Sequence, residues 1–425
     1  MKAPGSAGMK IPETTEKLVN LLSYSSDKTL AEKCRWLTPE DWQVVLEEGE
    51  QRGLALVLYD RLCAADGEGV VPGWVMERLR QAYLAATARN MVMLHHAGAI
   101  LKGLKERGIE AIVLKGLYLV EHVYPQIGLR TFSDLDLLVR KERLAETLRL
   151  MQSLGYRLST WYDPGAQNTD IKHLPPLEKP DHPTIELHWT ILEEDEPFTI
   201  DVEGLWQRAA QVNVAGVEAL ALDLEDLLLH LSMHFTYQHR LRAGLRNLYD
   251  IAEVLRQNAD QVDWRKLAGT AREWGAQRVT WLTLRLLEKI TGLEAAPGVM
   301  TSLLPDPVDP SMMTAALEQV LTKDEARVAL TPDLAGLPAA GFFTKIKLVW
   351  KRVFIPRRLL AREYNIDMHS LKLYRYYLVR LRDLWRRYAR SGWRLMTGEA
   401  EALSGANAKQ ENARLREWMG RGGKR

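Results

Sequence analysis

The sequence predicts an α+β fold in which one small mixed β-sheet lies between a helical N-terminal part and a larger helical C-terminal part. Apolar residues recur at helical spacing on both sides of residues 108–222, whereas inside this range short strand-like segments alternate with helical ones. The chain has 425 residues, 46% of them hydrophobic, which suits two or three domains with packed cores. We predict a helical N-terminal part (1–107), an α/β core (108–222), a helical domain (223–340) and a basic helical C-terminal region (341–425).

Two helix starts support the prediction for the N-terminal part. Thr38 and Pro39 open a segment with helical apolar spacing that runs to about residue 63. Pro72 and the following glycine open a longer one, which ends at Gly108. We therefore expect residues 15–107 to be entirely helical.

The core is predicted to alternate strands and helices. Its predicted elements, in order, are a buried strand at 110–114, a helix at 117–124, an alternating strand at 134–139, a helix at 141–154, a strand at 155–160, a Pro-rich loop at about 163–183 and a strand at 184–191. This order is typical of a small α/β unit.

After residue 222 the spacing is helical again. The predicted helices cover 223–240, 244–257, 263–274 and 276–292, then 344–353 and 369–392 beyond a stretch rich in Pro and Gly at 295–345.

Charge is distributed unevenly along the chain. Residues 341–425 hold 21 Lys and Arg against 7 Asp and Glu, although the whole chain has a net charge of only +2. Such a region either meets an anionic partner, such as phosphate, nucleic acid or a membrane surface, or packs as a solvated helical face against the acidic body.

Composition also excludes several classes of protein. Two cysteines without a CxxC pair exclude a disulfide scaffold and a cysteine zinc site, and they favour a cytoplasmic protein. The first residues lack the apolar segment of a signal peptide, and no stretch reaches the roughly 18 apolar residues of a membrane span.

The strongest candidate for chemistry is the pair Asp134 and Asp136 in the predicted strand DLDLLV. Residues two apart in a strand point to the same face, so both carboxylates project together while Leu135 and Leu137 point into a core. Two adjacent like charges are unfavourable unless a cation neutralises them. Mg²⁺ or Mn²⁺, held by carboxylates and nucleotide phosphates, would do so.

The segments before this strand carry candidates for phosphate binding. Lys115 and Gly116 lie where a buried strand meets a helix, so a phosphate could approach the glycine and the helix N-terminus. Arg130 either clamps a phosphate or pairs with one of the aspartates. Ser133 either contacts a phosphate or caps the turn. The alternative for Lys115 is a solvated side chain at a simple turn.

A third carboxylate is expected on the strand TIELHWTI. Glu186 and His188 point to the face opposite the apolar Ile185, Leu187 and Trp189. A carboxylate there would accept a proton from an attacking hydroxyl or complete the coordination of a metal. The alternative for Glu186 is a structural salt bridge.

Two further pairs have simple structural interpretations. His230 and His234 lie on one helix face, but that face is otherwise apolar and favours packing over metal binding. Arg246 and Asp250 have the i,i+4 spacing of a helical ion pair.

The stretch LKGLYLVEHVYPQIGLRTFSDLDLLV, the later Gly155-Tyr156 and the segment IELHW together resemble the uncharacterised nucleotidyltransferase family of the DNA polymerase β superfamily. The resemblance covers about residues 85–255. It implies a palm-like sheet, metal-dependent nucleotidyl transfer, Asp134 and Asp136 as metal ligands and Glu186 as the third carboxylate. The wider superfamily usually has Gly-Ser where this chain has Lys115-Gly116, a departure that the family shares.

The function expected from these features is transfer of a nucleoside monophosphate from an NTP, with ATP as the expected donor, and release of pyrophosphate. The acceptor is left open among a protein, an RNA and a small metabolite. Two other classes stay open. One is a non-catalytic nucleotide- or partner-binding module resembling an antitoxin, and the other is an RNA-binding adaptor acting through the basic C-terminal region.

Overall fold

A computed structural model describes residues 12–321, apart from 25, 66–68, 160–171, 194–195, 243 and 305–307, and also residues 357, 360, 370, 374–383 and 412–421. The chain groups into two compact units. One comprises Met1–Leu321 with Trp418–Arg425, and the other comprises Thr322–Glu417. The four-part division made from the sequence stays a prediction.

Among the described residues five helices precede the sheet, in the part that the sequence predicts to be helical. They are α1 (Glu13–Leu22), α2 (Asp27–Arg35), α3 (Pro39–Gln51), α4 (Ala55–Ala65) and α5 (Gly73–Glu106). Helix α3 begins with a capping box, in which Thr38 and Asp41 satisfy each other's backbone N–H groups. The long helix α5 covers the predicted range almost completely.

Within the described part of the chain the sheet has seven strands in mixed orientation. They are β1 (Ala111–Val113), β2 (Asp134–Val139), β3 (Arg157–Leu158), β4 (Leu177–Glu178), β5 (Thr184–His188), β6 (Ala210–Val214) and β7 (Val217–Ala221), in the spatial order β3-β4-β5-β2-β1-β7-β6. Strand β2 runs parallel to β5 and antiparallel to β1. Three helices connect the strands: α6 (Lys115–His122), α7 (Leu144–Ser153) and α8 (Val202–Arg208). The predicted α+β class, with a small mixed sheet between helical parts, is confirmed.

The hairpin β6–β7 was not predicted from the sequence. Its turn, Ala215-Gly216, has positive φ at both residues (51° and 78°), as a two-residue hairpin turn requires. The alternation of polar and apolar residues in QVNVAGVEALA is typical of strands and could have predicted it. The turn gave no support to that prediction, because alanine, at the first turn position, seldom adopts a positive φ.

One face of the central strands is the core. Leu135 and Leu137 of β2 and Ile185 and Leu187 of β5 are buried, and they belong to a cluster that includes apolar residues of α5 and α7. The alternation predicted for DLDLLV is therefore observed, and the polar residues of β2 and β5 lie on the opposite face.

The described residues after the sheet are mostly helical. It forms α9 (Leu224–Met233), a π-helical turn (His234–Gln238), α10 (Leu245–Asn258), α11 (Trp264–Glu273), α12 (Gln277–Thr291), α13 (Val299–Leu303) and α14 (Pro310–Leu321). Residues 374–383 are also helical, within the predicted 369–392, whereas the helix predicted at 344–353 lies outside the described residues. Within the part of the chain described, no helix is both long and apolar enough to cross a membrane.

Helix α5 supports the loop that leads into β2. Buried Asn90 donates hydrogen bonds from Nδ2 to the carbonyl oxygens of Ile127 and Arg130. Gly128 lies against the same helix, and a Cβ at that position would overlap Thr87 Oγ1 and crowd the Tyr83 ring. The loop can therefore approach α5 only because residue 128 has no side chain.

We expect Gly128→Ala to lower the free energy of unfolding by about 1–3 kcal/mol, because the loop or α5 must shift. Chemical denaturation would measure it. The matched control is Gly269→Ala in α11, where a Cβ meets nothing within 4 Å. That change should raise stability by up to about 1 kcal/mol through helix propensity. Equal effects of the two substitutions would contradict the packing argument.

Candidate active site

The register of two parallel strands builds the candidate site. Asp136 of β2 is paired with Glu186 of β5, and Asp134 with Thr184. Because side chains alternate along a strand, the carboxylates of Asp134, Asp136 and Glu186 and the imidazole of His188 share the face turned away from the core. The structure thus brings the three predicted carboxylates to one face of the sheet.

Asp136 is the most enclosed of these groups. Its Oδ1 accepts hydrogen bonds from Lys115 Nζ at 3.0 Å and from His188 Nε2 at 2.8 Å. Its side chain is only 3% exposed. Since a carboxylate oxygen can only accept, His188 carries its proton on Nε2 in this arrangement. Glu186 Oε2 lies 3.4 Å from the same Nε2 and 3.9 Å from His173 Nε2.

The pKa values of the two aspartates are shifted in opposite directions although the residues are only two positions apart. Burial, and then the charge of Asp136, raises the pKa of Asp134. Burial alone would also raise the pKa of Asp136, but Lys115 and His188 hold it well below its ordinary value. The hydrogen bond from His188 outweighs burial and lowers the pKa of Glu186. Lys115 therefore relieves part of the carboxylate repulsion that the sequence predicts.

The donor set suits a divalent cation. One ligand atom each from Asp136, Glu186 and His188 lie within 4.8 Å of one another. Two ligands at right angles on a cation about 2.1 Å away would be about 3 Å apart, close to the spacings from His188 Nε2 to the two carboxylates. His188 Nε2 would become a ligand only after losing the proton that it donates to Asp136. Asp134, a predicted ligand, is not a member of this compact group. His188, which is a member, was not among the ligands predicted from the sequence.

Lys115 is held in an uncommon backbone conformation. Its φ is 42°, in the left-handed region that disfavours a non-glycine residue by about 1–2 kcal/mol. This conformation begins α6 and points the ammonium at Asp136. Strained residues of this kind are enriched at functional sites.

Gly116 is required by packing. A Cβ there would lie 2.9 Å from Arg130 Nη1 and 3.0 Å from Phe132 Cβ. The guanidinium of Arg130 therefore covers the backbone at the position where the sequence predicts a phosphate to approach.

Arg130 forms a buried ion pair that the sequence did not predict. Its Nε and Nη2 donate to the two carboxylate oxygens of Asp250 in α10 at 2.8 and 2.9 Å. Tyr124 Oη donates to the same carboxylate at 2.8 Å. The i,i+4 pair predicted between Arg246 and Asp250 is absent from the described contacts, because Arg246 donates to the carbonyl oxygen of Thr131 instead. The predicted phosphate contact of Arg130 stays a prediction.

Ser133 is exposed beside the carboxylates. Its Oγ lies 3.5 Å from Asp134 Oδ1, a long hydrogen bond. This placement leaves the hydroxyl available to a ligand, so its predicted phosphate contact stays a prediction.

A model of the uncharacterised nucleotidyltransferase family matches residues 38–292, which include the whole of this site. The chain belongs to that family. No curated protein matches it. The solution structure of the antibiotic-resistance factor ANT(2'')-Ia is 13% identical, and the match covers 43% of this chain and 94% of that one with a TM-score of 0.32.

In this nucleotidyltransferase family member, further residues lie beside the carboxylates of the candidate site. Lys172 and His173 lie beside His188, and Gln238 of the π-helical turn bonds to Lys172 at 3.1 Å. Neither Lys172 nor Gln238 was predicted from the sequence. Neither belongs to a spacing pattern, and only the fold brings them together across 66 positions of the chain.

His230 of α9 and His234 of the following turn pack against other side chains, which is the interpretation that the sequence favours over metal binding. The rings of His230 and His234 are 6.1 Å apart, and His234 Nε2 lies 2.9 Å from His239 Nε2. Both ring nitrogens of His230 are buried, with no hydrogen-bond partner among the described residues. Burial holds the pKa of His230 well below its ordinary value.

A buried neutral histidine makes stability depend on pH. The unfolded chain takes up a proton near pH 6.5 and the folded chain does not. Stability is therefore complete above about pH 6.5 and falls as the pH drops below it, by up to about 1.4 kcal/mol per unit for this group. In His230→Leu we expect a shallower fall between pH 7.5 and 5.5, measured by denaturant unfolding. Identical slopes in the two proteins would contradict a neutral buried His230.

Proposed function

We propose that the protein is a metal-dependent nucleotidyltransferase, which transfers NMP from an NTP to an acceptor hydroxyl and releases pyrophosphate. The observation that carries this proposal is the register that sets Asp136 beside Glu186, with His188 and Lys115 in hydrogen-bonding distance of Asp136. A cluster of carboxylates on the polar face of a sheet has little structural benefit, because its members repel one another.

The chain's own groups account for the steps of the reaction. The acceptor oxygen forms a bond to the α-phosphorus, the bond from that phosphorus to the bridging oxygen breaks, and pyrophosphate leaves. The proton of the acceptor hydroxyl passes to Glu186. This carboxylate is ionised at neutral pH and has a free lone pair for the proton, although its lowered pKa makes it a weaker base than an ordinary glutamate. His188, hydrogen-bonded to Asp136, orients that carboxylate within the site.

A divalent cation, Mg²⁺ or Mn²⁺, would be held by Asp134, Asp136 and Glu186 and would supply charge neutralisation at the phosphates. His188 Nε2 would join these ligands only as the Nδ1–H tautomer, in place of its hydrogen bond to Asp136. Lys115 and Ser133 are close enough to this cluster to contact the phosphates of an NTP, with ATP as the expected donor.

Label transfer tests the proposal. The protein is incubated with each α-labelled NTP, Mg²⁺ or Mn²⁺, and a lysate that is afterwards separated into RNA, protein and small molecules. We expect label in one fraction, which names the acceptor class, and none with Asp136→Asn. NTP binding without transfer would favour a nucleotide-binding module. RNA binding without NTP binding would favour an adaptor that uses the basic C-terminal region.

A further inference from the structure

Lys172 is fixed beside the strand that carries Glu186 and His188. The backbone N–H of Trp189 donates to the carbonyl of Lys172 at 3.1 Å, and His173 forms a β-bridge with His188. The residue is thus attached to the end of β5 by main-chain contacts. Its side chain is half-buried there and interacts electrostatically with Lys115, Asp136 and Glu186.

The ammonium of Lys172 has only a neutral partner. Its Nζ donates to Gln238 Oε1 at 3.1 Å, and among the described residues no carboxylate oxygen lies within ion-pair distance of it. An ammonium has three N–H donors, so this contact leaves two unused. Burial, and then the charge of Lys115, lowers the pKa of Lys172. A cation held in this way is unfavourable unless an anion joins it.

Neighbouring cations are already engaged. Lys115 pairs with Asp136, and Arg130 pairs with Asp250. Arg246 donates to the carbonyl of Thr131. Lys172 differs from Lys115 and Arg130 in that its described hydrogen bond goes to a neutral group and not to a carboxylate.

Gln238 fixes the position of this ammonium. Its Nε2 donates to the carbonyl of Ile191 at 3.3 Å and lies 3.5 Å from Glu196 Oε2, so its Oε1 faces Lys172. Gln238 ends the π-helical turn, a conformation that is frequent at functional sites.

We propose that Lys172, positioned by Gln238, binds the β- and γ-phosphates of the NTP. The inference rests on the proposed function and adds to it the group that receives the triphosphate. A polyphosphate supplies several acceptor oxygens for the two spare donors, and charge-assisted hydrogen bonds of this kind are strong where water is largely excluded.

Calorimetric titration of the full chain with ATP, inorganic tripolyphosphate and AMP, each with Mg²⁺, tests the inference. For Lys172→Met we expect at least tenfold weaker binding of ATP and of tripolyphosphate and unchanged binding of AMP, which lacks the β- and γ-phosphates. Gln238→Ala should show a smaller loss, because the ammonium keeps its charge but not its position. The matched control is Lys179→Met, which removes a lysine that lies over the ring of Tyr156.

Each outcome has one meaning. Wild-type affinity of Lys172→Met for ATP and tripolyphosphate would overturn this inference and leave the proposed function standing. An equal loss for AMP would also overturn it, because the effect would not come from the β- and γ-phosphates. If the wild-type protein bound none of the three ligands, the proposed function would fail together with the inference. Thermal unfolding of each variant shows that the fold is retained.

Discussion

Asp136→Asn is expected to reduce nucleotidyl transfer by at least about 10³-fold, which corresponds to about 4 kcal/mol of transition-state stabilisation. The same substitution should lower the free energy of unfolding by about 3–5 kcal/mol. The reason is that it removes the only charge that pairs with the partly buried ammonium of Lys115 among the described contacts. An amide keeps the shape of the side chain, so the loss of stability reports the missing charge.

Asp134→Asn is the matched comparison. It should reduce transfer similarly if Asp134 binds the metal, but it should not destabilise the fold. Burial and Asp136 already raise the pKa of Asp134, so a neutral side chain relieves an unfavourable charge. Label transfer and denaturant unfolding of both variants would separate the two effects. Near-wild-type transfer in either variant would show that the site is assigned wrongly.

Asp250→Ala is expected to lower the free energy of unfolding by about 3–5 kcal/mol. Asp250 is 3% exposed and accepts two hydrogen bonds from Arg130 and one from Tyr124. Its removal leaves a guanidinium in a buried position without a counter-charge. Denaturant unfolding measures the change.

Two control variants accompany this measurement. The double variant Arg130→Met/Asp250→Leu should recover most of the stability, since an apolar pair replaces the buried charges without leaving one of them alone. Glu146→Ala breaks the half-exposed ion pair with Arg143 and should change stability by less than about 1 kcal/mol. If Asp250→Ala were as mild as Glu146→Ala, the buried ion pair would have no structural role.

The double variant also tests the phosphate contact predicted for Arg130. In the structure the Nε and Nη2 groups of this side chain are held by Asp250, so we expect the stable double variant to bind ATP about as well as the wild-type protein. A loss of ATP affinity at retained stability would show instead that Arg130 exchanges Asp250 for a phosphate. Titration calorimetry measures both cases.

Local patterns were enough to predict most elements of the fold. The alternation of DLDLLV predicts both the strand Asp134–Val139 and its buried face, and Pro72 with Gly108 delimits the long helix before the sheet. The hairpin Ala210–Ala221 was missed because its turn uses alanine in place of a residue that favours positive φ. Propensity describes the backbone conformation that a residue prefers, and at Ala215 the tertiary contacts override that preference.

The sequence by itself determined the fold class, the family and the face on which the carboxylates lie, because each depends on the order and spacing of neighbouring residues. Only the tertiary structure decided which groups meet. Arg130 pairs with Asp250, 120 positions away in the sequence, and Lys172 bonds to Gln238, 66 positions away. Such partners follow from the register of β2 on β5 and from the packing of the later helices against the sheet. No local pattern encodes these choices, since an arginine or a lysine has the same sequence neighbours whichever distant group it finally contacts.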